Sequence, residues 1–173
     1  IKDLINDSTV AIIAVNFLGI PERITEIRSI IRANNIFIIE DSAQALPISE
    51  DDEYWTGDLI ILSFSRGKPV NLLHGGAGLS LNSNLRYKLP IGQEHREKYI
   101  VRLKFKLKAL TFNLIIKPHI YYFFNLLLGS RVGLTHFSAL TNIFRLPKSN
   151  QLILNTNYRK YCQRERVQNY LNE

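Results

Sequence analysis

The sequence predicts an α/β fold, a mainly parallel sheet followed by helical segments. Three observations carry that reading. Short apolar runs recur at residues 9–15, 36–40 and 58–64, and buried parallel strands read as near-continuous apolar runs. Between the first two, the apolar residues fall at helical spacing. The connections are short, so the order is strand, helix, strand: a βαβ unit.

The first strand is TVAIIAV, residues 9–15, and Gly19 and Pro21 punctuate the segment after it. Pro21 suits the first turn of a helix, where its missing N–H would be unpaired in any case. Ile24, Ile27, Ile30 and Ile31 then share one face, while Glu22, Arg23, Glu26 and Arg28 fall elsewhere. Asn34 and Asn35 end the helix. Residues 36–40 (IFIIE) form the second strand, closed by Asp41, with a right-handed crossover expected. Residues 47–57 make a polar loop with Glu50, Asp51, Asp52 and Glu53 in a row. Residues 58–64 form a third strand. Residues 65–76 are a loop containing Gly67, Lys68, Pro69, Gly75 and Gly76, and residues 77–81 form a fourth strand. Ser83 and Asn84 are expected to cap a short helix.

Residues 94–130 point two ways. VRLKFKLK, residues 101–108, alternates strictly, which by itself argues strand, yet Glu94, Arg96, Glu97 and Lys98 lead into it like a helix surface. Residues 109–130 carry one charge, Lys117, in 22 positions, close to the roughly 20 apolar residues of a membrane span. Asn113, Pro118, His119 and Asn125 argue against a continuous span. The expectation is two apolar helical segments broken near Lys117-Pro118. They pack on the same protein or on a second subunit, or the basic-then-apolar stretch 96–131 lies on a membrane surface. The tail from Asn155 is basic and helix-compatible, with an incomplete apolar stripe of Tyr158, Tyr161, Val167 and Leu171.

Composition bounds the rest. The 173 residues suffice for one domain, or one domain with part of another. With 46% hydrophobic and 21% charged residues, the chain is globular rather than disordered or a disulfide scaffold. The single cysteine, Cys162, favours a reducing, cytoplasmic setting. His74, His95, His119 and His136 are scattered without metal-ligand spacing, so no metal is expected. The chain has no methionine and starts at Ile1, and it is expected to be a piece of a longer protein. Its net charge of +7 divides unevenly: residues 1–60 carry 4 basic and 11 acidic side chains, and residues 61–173 carry 18 and 4. Such asymmetry fits an anionic partner for the basic half, or halves that neutralise each other. Nucleic acid is not the expected partner, because no reading motif or aromatic stacking platform accompanies the charge.

Two residues stand where chemistry gathers, at the carboxyl ends of strands in an open parallel sheet. Asp41 suits a salt bridge, a metal ligand or a partner for a cationic ring nitrogen. Lys68, in a glycine-containing loop after a strand, suits a surface charge, a phosphate contact or a Schiff base. Four pieces then occur in order: Asn16-Phe17-Leu18-Gly19, Glu40-Asp41-Ser42-Ala43-Gln44, Ser63-Phe64-Ser65-Arg66-Gly67-Lys68 and Gly75-Gly76-Ala77-Gly78. Together they resemble the DegT/DnrJ/EryC1/StrS family of pyridoxal-phosphate (PLP) sugar aminotransferases, over about residues 8–82.

The resemblance implies a fold-type-I PLP-dependent transferase. Residues 1–90 are expected to be the later part of its large domain, and residues 91–173 the helical segments and the start of its small domain. It implies that Lys68 carries the cofactor as a Schiff base and then shuttles the proton. It implies further that Asp41 pairs with the pyridine nitrogen, Gln44 lies near the 3-oxygen and Ser63 donates to the phosphate. The carboxylate keeps the ring nitrogen protonated, so that the ring serves as an electron sink. The implied reaction passes an amino group from an amino acid, glutamate being expected, to a keto-sugar nucleotide in a homodimeric parent. Lys68 in place of His favours amino transfer over the family's dehydratase branch.

The chain departs from the pattern at Asn16, where the family carries His, in lacking an upstream Gly-Ser/Thr phosphate turn, and at Asn142 to Leu146, one place out of register with the family's Asn-x-Arg-Met. The piece by itself is therefore expected to be inactive. A second reading is a membrane-surface or lipid-linked-sugar assembly protein with a vestigial PLP fold.

Overall fold

The structure is a computed structural model, and it describes residues 1–31, 35–47, 54–86, 92, 99–128 and 145–172. In chain order the elements are a short 3-10 turn (Lys2–Leu4), β1 (Ala11–Val15), α1 (Ile24–Ile31), β2 (Phe37–Asp41), β3 (Leu59–Ser63), β4 (Gly76–Ser80), α2 (Ser83–Arg86), α3 (Tyr99–Ile115), α4 (Pro118–Leu128) and α5 (Lys148–Asn172). They form two compact units, one of Ile1–Leu89 with Asn150–Glu173, the other of Pro90–Ser149.

In the first unit the four strands line up in sequence order. β1 and β2 pair in parallel, Ala11 opposite Phe37 through Val15 opposite Asp41, and β2 pairs in parallel with β3, Asp41 opposite Ile61. β4 returns antiparallel, Ser63 opposite Gly76. This is the mainly parallel α/β sheet expected from the sequence. A Cβ at Gly76 would run into the carbonyl of Leu62, so the close approach of β4 to β3 requires glycine there.

Side chains alternate across a strand, and the sheet has two distinct faces. On one, Ala14 and Ile38 pack against Ile24, Ile27 and Ile31 of α1, with Ile36 completing the cluster. Each isoleucine removed from water there contributes about 1.5–3 kcal/mol. Ile30, expected on the same helix face, is 43% exposed. Ile24, Ile27 and Ile31, at i, i+3 and i+7, fill the stripe, and Ile30 points about 100° away from Ile31. On the other face Ile13, Val15, Phe37 and Ile61 stay exposed.

Several expected ends shift: α1 starts at Ile24, so Pro21 precedes the helix instead of standing in its first turn, and the tail helix begins at Lys148 rather than near Asn155. Asn34, read as ending α1, and Glu50 to Glu53 of the acidic loop lie outside the described residues. The short helix α2 is capped by Asn82, whose Oδ1 accepts from Asn84 N at 2.9 Å, rather than by Ser83 or Asn84. Asp58 ties three elements together. Its Oδ2 accepts from Ile38 N at 2.8 Å and pairs with Arg28 at 3.4 Å, and its Oδ1 accepts from Asn82 Nδ2 at 3.3 Å.

In the second unit the alternating stretch 101–108 is helical, inside α3. Its leucines continue at spacings of three and four beyond the alternation, and that longer period decides the element. The chain breaks after Ile115 and α4 starts at Pro118, as expected. Tyr121 N donates to Lys117 O at 2.8 Å, which begins the new helix. Among the described residues no helix is long and apolar enough to cross a membrane, and no group of three or more His, Cys, Asp and Glu could hold a metal.

Candidate active site

The carboxyl ends of β1, β2 and β3 form one edge, and backbone bonds extend the pairing past the strands. Asn16 N donates to Asp41 O at 2.9 Å and Ser42 N to Ile61 O at 2.9 Å. Asp41 ends β2 on the open face of the sheet, in line with Val15 and Ile61. Ser63 ends β3 two residues beyond Ile61 and so lies on that same face. Strand geometry separates the Asp41 and Ser63 Cα atoms by roughly 8 Å. These two predicted site residues come together at one sheet edge, both half-buried.

The other two lie on the loops. Ala43 N donates to Asp41 Oδ1 at 3.0 Å and Ala45 N to Ser42 O at 3.2 Å, and this turn holds Gln44, half-buried. After β3, Ser63 Oγ and Ser65 Oγ share a hydrogen bond at 2.9 Å. Residues 65–68 then turn, Lys68 N donating to Ser65 O at 3.3 Å. Gly67 sits third in the turn with φ +75°, the type II position that favours glycine. Lys68 ends this turn, five residues after Ser63, and is half-buried.

The opposite face of the edge carries a buried polar network that the sequence reading missed. Glu40 is 1% exposed. Its Oε1 accepts from Asn16 Nδ2 at 2.8 Å, and its Oε2 from Gly57 N at 3.0 Å and Thr56 N at 3.2 Å. Asn16, also fully buried, gives Nδ2 to Ser42 Oγ and accepts Glu22 N on Oδ1 at 2.8 Å. Trp55 Nε1 donates to Ser42 Oγ at 2.8 Å. A Cβ on Gly57 would meet Glu40 Cβ at 2.9 Å, so the glycine is shaped to the carboxylate. The sequence signal was present: adjacent acids in a strand face opposite sides, so one of Glu40 and Asp41 had to point inward.

The tail is helical, as expected, but its docking on the loops was not foreseen. In the first unit α5 crosses both loops. Asn157 Nδ2 donates to Asn71 O at 3.1 Å, Asn150 Nδ2 meets His74 Nε2 at 3.3 Å, and Tyr158 and Tyr161 donate to Pro47 O and Leu46 O at 3.0 and 3.2 Å. A cavity of about 400 Å³ lies between α5 and the α1-side face, lined by Leu46, Trp55, Leu62, Phe64, Val70 and Leu154 among others. It is apolar and backs the sheet away from Asp41 and Ser63.

A model of the DegT/DnrJ/EryC1/StrS aminotransferase family matches residues 1–154. The chain belongs to this family. The family is PLP-dependent. Among solved structures, a Helicobacter pylori aminotransferase involved in pseudoaminic acid biosynthesis is 16% identical with a TM-score of 0.58, over 93% of this chain and 36% of that one. A GDP-4-keto-6-deoxymannose-3-dehydratase mutant with bound GDP-perosamine is 16% identical with a TM-score of 0.53, over 92% and 38%. Both share the fold of this family member. An E. coli GDP-4-keto-6-deoxy-D-mannose-3-dehydratase with bound hydrated PLP is 27% identical with a TM-score of 0.41, over 46% and 21%. The chain thus spans 21–38% of the length of these three proteins. Among curated proteins none matches its sequence.

Proposed function

We propose that this chain carries part of the cofactor site of a PLP-dependent enzyme that transfers an amino group from an amino acid, glutamate in the first instance, to a keto-sugar nucleotide. The observation that carries the reading is the convergence of Asp41 and Ser63 on the open face of one sheet edge, with Lys68 on the next turn. The residues fit the group. Among the described residues the hydrogen bond to the Asp41 carboxylate comes from Ala43 N alone, which leaves acceptor capacity for a protonated ring nitrogen. On β4 a Cβ at Gly78 would meet nothing within 4 Å, so no side chain from that position crowds the open face.

Bound PLP supplies an electron sink for the bond being broken. The chain's own residues do the rest. Asp41 holds a proton at the ring nitrogen through charge and hydrogen bonding. Lys68 would hold the aldehyde through its ε-amine and, once released, would carry a proton between the nitrogen-bearing carbon of the substrate and the aldehyde-derived carbon of the cofactor. Ser63 donates to the phosphate, and Gln44 orients the ring from the 3-oxygen side. A lysine at position 68 favours amino transfer over dehydration. In this reading the full catalytic unit is a homodimer longer than this chain, and the 173 residues alone do not turn over substrate.

Borohydride reduction with PLP, followed by peptide mass spectrometry, tests the assignment. A pyridoxyl adduct on the peptide containing Lys68, lost in Lys68→Ala, is expected. Labelling spread evenly over the surface lysines, or none at all, would overturn it.

A further inference from the structure

The second unit presents a surface that the cofactor chemistry does not use. Within α3, Ile100, Leu103, Leu107, Leu110 and Leu114 recur at spacings of three and four, so they form one stripe. All five are exposed, Leu107 at 64% and Leu110 at 68%. At 100° per residue, Arg102 and Lys106 border the stripe on one side and Lys104 and Lys108 on the other. A different stripe of the same helix, Phe105, Ala109 and Phe112, is half-buried, and α3 packs against α4 within this unit. The leucine stripe is therefore not the face that forms the helix pair.

The charges select its occupant. Residues 99–128 contain five Lys and Arg and no Asp or Glu. A second copy packed stripe to stripe would bring Lys104 and Lys106, which flank the seam directly, against the same lysines. An anionic bilayer instead meets cations on both borders. The leucines enter the acyl boundary while the lysine stems run along it and keep their ammonium groups among the headgroups. At 17 residues the helix is about 25 Å long and lies in the interface plane. Exposed Tyr121 and Tyr122 of α4 are of the type enriched at membrane–water interfaces.

We infer that α3 is an interfacial helix by which this protein docks reversibly on anionic lipid. The inference stands apart from the PLP assignment and survives its failure. Flotation of the full chain with vesicles tests it, using phosphatidylcholine alone and phosphatidylcholine with roughly one-third phosphatidylglycerol. Flotation is expected with the anionic vesicles only, and it should weaken as salt shortens the Debye length. Lys104→Gln and Lys106→Gln should each lower the partition coefficient roughly five-fold. Leu103→Ser with Leu107→Ser should abolish flotation while circular dichroism shows the helices retained. The inference is overturned by no flotation, by equal flotation with neutral vesicles, or by flotation that neither set of variants alters. It is also overturned if the protein ignores vesicles and forms a dimer that the leucine variant dissolves, since the stripe would then belong to a second copy.

Discussion

Glu40 and Asp41 are adjacent in β2 and face opposite sides of the sheet. Glu40 is buried among three hydrogen-bond donors, and Asp41 stands half-buried on the open face. One carboxylate holds the edge together, and its neighbour is the one proposed to meet the cofactor. Glu40→Gln places an amide among N–H donors and leaves at least one of them unsatisfied in the interior. It should cost about 1–3 kcal/mol, read as a lower urea midpoint. Asp41→Asn keeps an oxygen for Ala43 N and should change stability by less than about 1 kcal/mol, while PLP retention falls sharply. Equal stability losses in the two variants would contradict this division of labour.

Gly67 makes a separate prediction, because it acts only through the backbone. A Cβ there meets nothing within 4 Å, yet φ is +75°. Gly67→Ala should therefore cost about 1 kcal/mol of stability without any core clash. Its larger effect should be on Lys68, the last residue of the turn, which would be misdirected. Lower labelling of Lys68 by PLP and borohydride, with the sheet intact by circular dichroism, is the expected result.

Residues 8–82 were legible because every signal there is local. The apolar runs, Pro21, the glycine punctuation and the four motif pieces each report on a few neighbouring residues. The family and the α/β architecture emerge from them. What stayed hidden depends on distance. Glu40 meets Thr56 and Gly57 sixteen and seventeen residues on, and no periodicity reports such a contact. Tyr158 and Tyr161 read as an incomplete stripe because they do more than fill a core: their phenol groups reach the carbonyls of Pro47 and Leu46 across more than 100 residues. The alternation of residues 101–108 argued strand while the charged lead-in argued helix, and the leucine spacing over a longer window fits the helix observed.

The docking of α5 should be sensitive to alkali. Burial chiefly, with the Glu165 carboxylate second, raises the Tyr161 pKa above its ordinary value of 10.0. Burial and then Glu40 raise that of Tyr54. The folded protein thus holds these phenolic protons more tightly than the unfolded chain. Their contribution is fully present below pH 10 and is lost as pH rises from there through the folded-state pKa. Ionised Tyr161 can no longer donate to Leu46 O and instead repels it. Denaturant midpoints measured below and above pH 10 should fall with alkali, and Tyr161→Phe should flatten part of that fall. A variant with the wild-type slope would show that α5 is held by other contacts.

Asn16 and Ser42 offer the most direct optical test of the buried network. Trp55 is the single tryptophan of the chain, and its indole N–H donates to the Ser42 hydroxyl that also accepts from Asn16 Nδ2. Ser42→Ala removes the acceptor of both donors at once. It should cost about 1–3 kcal/mol and shift the Trp55 emission as the indole loses its partner. Asn16→Asp is expected to be worse, because the donor to Glu40 becomes a second carboxylate beside a buried one. That variant should recover part of its loss at acidic pH, where protonation of either carboxyl restores a donor between the two. If Trp55 emission and stability were untouched in both variants, the network would not be what fixes the carboxyl ends of β1 and β2.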